Sequence, residues 1–328
     1  MKFFIMQGQR LLAGKFRITN KARRATLLLV TLLIPQSILA QEKYDTLYVM
    51  SSRAKPYLTF KETVEEHQNT SASSRNTQRF VAMDDLHTEK LRELINNSQT
   101  VVTLGQKSLR NVADLRIDRP HLATLITLED YRDVLSEKNI SQGMHCVLVI
   151  DQPLHRITRV IRERIPDARI AGIIAEPKDA NNSKSSIAMQ YEYDPIIARV
   201  PPRENIHSTI RTMSENGIDV IIALHNKEIY NRSTARNILI SSYHFNLPLI
   251  GYSRAFVRAG ALMGIYSTPE SMADETLGII NQTERCVDGS ILYPSRYTVE
   301  VNPQVAKSLR INIEYQNLKQ TYQDRPRK

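Results

Sequence analysis

Short apolar runs recur along this chain, and the gaps between them are about as long as a helix. The runs Thr46–Ser51, Gln78–Ala82, Thr100–Leu104, His121–Thr127, Cys146–Ile150, Arg169–Ala175, Ile196–Val200, Asp219–Leu224 and Leu247–Tyr252 read as strands. Between most of them apolar positions return with helical spacing, at Leu86–Asn97, Lys107–Leu115, Leu154–Ile165, Asn205–Asn216 and Asn231–Tyr243. Strands that are apolar on both faces and alternate with helices imply parallel sheets covered on each side. The pattern therefore predicts an α/β protein.

The strands fall into two βα series, Thr46 to Thr127 and Cys146 to Tyr252, joined by the polar stretch Glu137–Gly143. Each series predicts one doubly wound lobe. Asn69–Thr77, rich in Ser and Asn, predicts a surface loop. From Gly260 onward the pattern fits neither series: a short strand, a helix at Pro269–Asn281 and an extended run at Arg296–Val301. The polar segment Thr321–Lys328 predicts a frayed tail.

The N-terminal pattern is different in kind. Residues 1–24 carry seven Lys and Arg and no acidic residue, and an apolar run follows from Ala25 to Ile34. That run is well short of the roughly 20 residues needed to span a bilayer, and Ser37-Ile38-Leu39-Ala40 offers a small residue before Gln41. Residues 1–40 are thus expected to be a signal peptide cleaved near Ala40, sending the protein to the periplasm; an uncleaved anchor is the alternative. No cysteine near the cut is placed to accept lipid.

Removing that leader changes the charge. The whole chain has 44 basic and 34 acidic residues, a formal +10, but seven basic residues leave with the leader, so 37 remain against 34, or +3. Nucleic-acid binding needs a concentrated basic surface, and this chain loses the main sign of one. The two cysteines, Cys146 and Cys286, either close a disulfide across a long loop or stay as buried thiols. No CxxC or His/Cys cluster marks a metal site.

The chain contains no GxSxG elbow, Walker loop, GxGxxG after a strand, or HExxH, so catalysis is not expected and no cofactor is implied. What remains is polar residues at strand ends, where doubly wound sheets bind ligands. Gln106 follows the run ending at Leu104, Thr127 closes the next, Asn182 and Ser183 come after Ala175, His225 and Asn226 follow Leu224, and Tyr252 ends the last. Such groups beside helix N-termini suit a small ligand's carboxylate or hydroxyls; individually they also suit ordinary capping.

Several ordered segments carry a family likeness: Asp151-Gln152-Pro153 before a helix ending at Ile165-Pro166, Asp219–Leu224, Ile229-Tyr230-Asn231, Asn246–Gly251, Ala259–Leu262 and Tyr297–Asn302. In these the chain resembles the ABC-transporter substrate-binding proteins related to tryptophan- and tyrosine-binding lipoproteins. The resemblance implies a type I periplasmic-binding-protein-like fold of two lobes joined by a hinge. The implied limits are 41–143 with 257–290 for the first lobe and 144–256 with 291–320 for the second, leaving 321–328 as tail. It also implies a monomer that captures a small molecule between its lobes, with the strand-end residues as ligands, and hands it to a membrane permease. A sensory module acting on a membrane signalling protein would use the same cleft.

Overall fold

A computed structural model of the protein describes residues 43–70, 77–117, 119–138, 145–175, 196–202, 205–282, 289–313 and 318–324. The expected signal peptide lies outside them.

The first sheet contains β1 (Tyr44–Met50), β2 (Gln78–Ala82), β3 (Ser98–Leu104), β4 (His121–Ile126), β5 (His145–Val149) and β11 (Ile291–Leu292), in the order β11-β5-β4-β3-β1-β2 and parallel throughout. The second contains β6 (Ile170–Ile174), β7 (Ile196–Val200), β8 (Val220–Ile222), β9 (Leu249–Gly251), β10 (Met263–Tyr266), β12 (Arg296–Val301) and β13 (Lys319–Gln323). Its order is β13-β12-β10-β9-β8-β6-β7, with β12 antiparallel to both neighbours. The helices are α1 (Lys55–Thr70), α2 (Thr88–Asn96), α3 (Gln106–Asp114), α4 (Leu128–Lys138), α5 (Leu154–Arg164), α6 (Ile206–Glu215), α7 (Ala235–His244), α8 (Arg254–Ala259), α9 (Pro269–Asn281) and α10 (Pro303–Ser308).

Each sheet is buried on both faces, as the continuous apolar runs require. In β8, Val220 and Ile222 join Ile157 and Ile161 of α5, whereas Ile221 between them joins Ile210 and Met213 of α6. In β1, Leu47 and Val49 pack with Leu91 and Leu94 of α2, and Tyr48 and Met50 turn to Phe60 and Val64 of α1. Two-residue alternation thus feeds two cores, and each fully buried Ile or Leu contributes about 1.5–3 kcal/mol. Local signals set the helix starts: Thr268 and Ser271 form a reciprocal capping box with Pro269 at the first turn of α9, and Asn205 caps α6 through the Ser208 N–H.

The sheet pairing moves the expected lobe limits. β5 lies between β4 and β11 in the first sheet, so residues 145–149 belong there and not with the second lobe. The reason is α4, whose buried stripe of Tyr131, Val134 and Leu135 supplies the crossover a parallel β5 needs. β10 stays in the second sheet, while α9 after it returns to pack against the first-sheet core through Met272, Ala273 and Ile279. β11 belongs to the first sheet, and the expected frayed tail includes β13, paired with β12 from Arg296↔Gln323 to Glu300↔Lys319. The chain therefore passes between the sheets at Ile150–Pro153, Ser267–Thr268 and Tyr293–Ser295.

Candidate functional site

The carboxyl ends of β8 and β9 face the first of these passages. There the chain forms a small pocket, open to solvent, walled by Leu224 and His225 after β8, Tyr252 after β9, and Asp151 and Gln152 of the passage. Its floor is apolar, from Ile157, Ile222, Ile250 and Ile265. Gly251 lines it because a Cβ there would collide with Phe256.

Asp151 is the polar centre. Its Oδ2 accepts the Leu128 N–H at the start of α4 at 2.7 Å, and its Oδ1 lies 3.3 Å from His225 Nδ1. One carboxylate thus touches a helix of the first sheet and a strand end of the second. The His225 ring lies 4.0 Å from that of Tyr252, centre to centre, tilted by 38°. Tyr252 leans on Phe256 and donates to the Tyr230 carbonyl at 3.4 Å. Burial pushes the Tyr252 phenol above its usual range, and burial followed by the Asp151 charge does the same to Tyr293. The Tyr252 ring in the pocket wall is thus a neutral, planar surface. Chemically the site offers an acceptor, an aromatic wall and an apolar floor.

Two residues after His225, Lys227 Nζ reaches Asp133 Oδ2 at 2.8 Å and Asp130 Oδ1 at 3.4 Å on α4. These carboxylates raise the Lys227 pKa, the hydrogen bond to Asp133 contributing most. Burial pushes the neighbouring Glu129 carboxyl up, only partly offset by Lys227.

The structure brings His225 and Tyr252 together in the pocket wall, which does not include Gln106, Thr127 or Asn226. Thr127 is spent on its own helix: its Oγ1 accepts the Asp130 N–H at 3.0 Å and donates to Asp130 Oδ2. Asn226 is spent likewise, its Oδ1 accepting the Ile229 N–H at 2.9 Å. Gln106 opens α3 on the first sheet, beside Gly105, whose φ of 89° and close approach to Tyr57 both require glycine. Asn182 and Ser183 lie outside the described residues. Cys146 is disulfide-bonded, and the chain's other cysteine, Cys286, also lies outside them. Asp151 and Lys227 were missed as site residues, although Asp151 follows β5 as His225 follows β8, so the strand-end rule itself points to it.

Among the described residues His225 has Asp151 as a polar partner. No group of three or more His, Cys, Asp or Glu among them is arranged to hold a metal ion. No helix among them is long and apolar enough to cross a membrane.

No protein-family model matches the sequence, and no curated protein matches it. Solved structures do match. The ABC domain from Streptococcus pneumoniae, in complex with L-Trp, aligns with a TM-score of 0.53 at 14% identity, covering 84% of this chain and 98% of that one. The ligand-free, open form of a substrate-binding protein with adhesive properties from Clostridium difficile aligns with a TM-score of 0.58 at 11% identity, over 83% and 97%. A conserved domain protein from Vibrio cholerae gives 0.51 at 12% identity, over 84% and 98%. At such identities the likeness is one of fold. It is a two-sheet α/β fold of the type I periplasmic-binding-protein-like kind.

Proposed function

We propose that this protein is an exported solute-binding protein that closes its two sheets around a small molecule and delivers it to an ABC importer. The observation that carries the reading is the solvent-open cavity at the carboxyl ends of β8 and β9, walled by a passage between the sheets. Ligands of doubly wound sheets bind at such strand ends. A molecule seated there touches the second sheet through His225 and Tyr252 and, through Asp151, the passage bonded to α4. Contacts to both sides are what let a ligand favour a closed state. The wall chemistry suits a flat, partly apolar molecule with a hydrogen-bond donor for Asp151. The basic leader and apolar run of residues 1–34 support export.

A thermal-unfolding screen of amino acids, short peptides, sugars and nucleosides tests this. A ligand at 100 times its Kd adds about 2.7 kcal/mol. The shift is expected to disappear in Tyr252→Ala. No shift with any compound would overturn the reading in favour of a sensory or interaction module.

A further inference from the structure

One buried side chain touches two of the three passages between the sheets, and touches the C-terminal segment as well. Arg156 is 4% exposed. Its Nη1 donates to Gln152 Oε1 at 2.6 Å, in the first passage, and to the Pro294 carbonyl at 2.8 Å, in the third. The guanidinium lies over the Tyr297 ring, 4.4 Å from its centre. The second passage is tied in through Gln152, whose Nε2 donates to Ser267 Oγ at 3.0 Å; that hydroxyl donates to the Arg296 carbonyl at 2.7 Å. Glu275 of α9 adds a further tie, accepting both the N–H and the hydroxyl of Ser295 at 2.8 Å.

The charge of Arg156 is met from the far end of the chain. Asp324 Oδ2 lies 3.0 Å from Arg156 Nε and 2.8 Å from its Nη2, and Asp324 Oδ1 accepts from Arg159 at 2.8 Å. The Asp324 backbone N–H also donates to the Ser295 carbonyl at 2.8 Å, inside the third passage. A buried guanidinium is costly unless its donors and charge are satisfied, so Arg156 depends on a residue 168 positions away. Anchoring of the edge strand does not explain this arrangement. β13 is already paired with β12, and Arg164 holds it separately through Gln320 and Tyr322.

We propose that Asp324 and Arg156 form a clasp over the hinge, through which the C-terminal segment sets how freely the two sheets rotate. Arg156 and Asp324 are then positioning residues for closure: they lie behind the cavity and hold the passages about which it opens. The consequence for ligand capture rests on the solute-binding reading, but the clasp acts in the ligand-free protein and is measured there.

Hydrogen exchange by mass spectrometry and small-angle X-ray scattering on the full chain, without ligand, test it with Asp324→Ala and Arg164→Ala. Asp324→Ala is expected to raise exchange about tenfold or more at the amides of residues 150–152, 267–268 and 295–296, and to change the radius of gyration. Arg164→Ala is expected to raise it in β13 alone. Faster exchange confined to residues 319–324 in Asp324→Ala, with the passages and the radius unchanged, would reduce Asp324 to an edge-strand anchor and overturn the proposal. If Asp324→Ala folds poorly, Asp324→Asn, which keeps the shape and one acceptor, is read by the same two outcomes. A silent ligand screen would sink the solute-binding reading and leave this result standing.

Discussion

Arg156 and Lys227 each hold carboxylates brought from another part of the chain, yet they act under different dielectrics. Arg156 is buried among the passages, and its charge, hydrogen bonds and ring face are all engaged. The Lys227 side chain is 58% exposed and meets Asp133 and Asp130 in water. At equal separation a charge pair weakens severalfold from protein interior to solvent, so the first contact is hard to break and the second easy. Under the proposed function this is the division that closure calls for: a firm pivot and a more easily broken surface contact.

Arg156→Ala puts the comparison under the heaviest load. It leaves Gln152 Oε1 and the Pro294 carbonyl without the Arg156 donor and Asp324 with Arg159 alone, and should cost about 3 kcal/mol or more in urea unfolding. A loss below that of Lys227→Ala would invert the ranking. Acid should expose the same contact more gently. Burial opposes the Asp324 charge, but the Arg159 and Arg156 guanidiniums outweigh it and hold its carboxyl below the usual range. A depressed pKa stabilises the fold fully above the unfolded-state value near 3.9 and loses that stabilisation as pH falls through the folded value. Urea midpoints measured from neutral pH down to about pH 3 should therefore drop less steeply in Asp324→Asn than in the parent.

Asn226→Ala is next in size. From its strand-end position this residue was a candidate ligand, but its carboxamide oxygen is used by the Ile229 N–H. The substitution should cost about 1 kcal/mol, as loss of a cap does, and affect ligand affinity less than Tyr252→Ala. A large affinity loss with unchanged stability would return Asn226 to the pocket wall. Lys227→Ala comes last, at about 0.5 kcal/mol or less, with an effect that fades in high salt. A salt-insensitive loss would mean that this contact is drier than its exposure implies.

Much of the fold was legible in the apolar pattern. The nine strand runs all appear as strands, and the central ones are buried on both faces and so read as a continuous signal. Four helices, α1, α4, α8 and α10, were absent from that pattern, the first two because their apolar stripes are weak. In α1 only Phe60 and Val64 reach the core while Leu58 stays exposed, and α4 buries Tyr131, Val134 and Leu135 among eight more polar neighbours or end residues. Missing α4 placed the lobe limit before β5 instead of after it. Of the site, the strand-end rule located His225 and Tyr252 but could not separate them from Thr127 and Asn226. Those two sit three residues before a free helix or turn N–H and bond to it instead.

The sequence by itself determined the alternation of strands and helices, the burial of the central strands on both faces and the strand ends that wall the pocket. These follow from side-chain polarity and from periods of two and 3.6 residues, which act over a few neighbours. Only the tertiary structure decided which sheet takes β5, β10 and β11, and that a polar C-terminal segment becomes a strand ending over the hinge. The reason is range. Arg156 and Asp324 are 168 residues apart, and no local pattern marks either for the other. Their pairing exists because three passages of chain converge beside them and leave one buried cation to be neutralised.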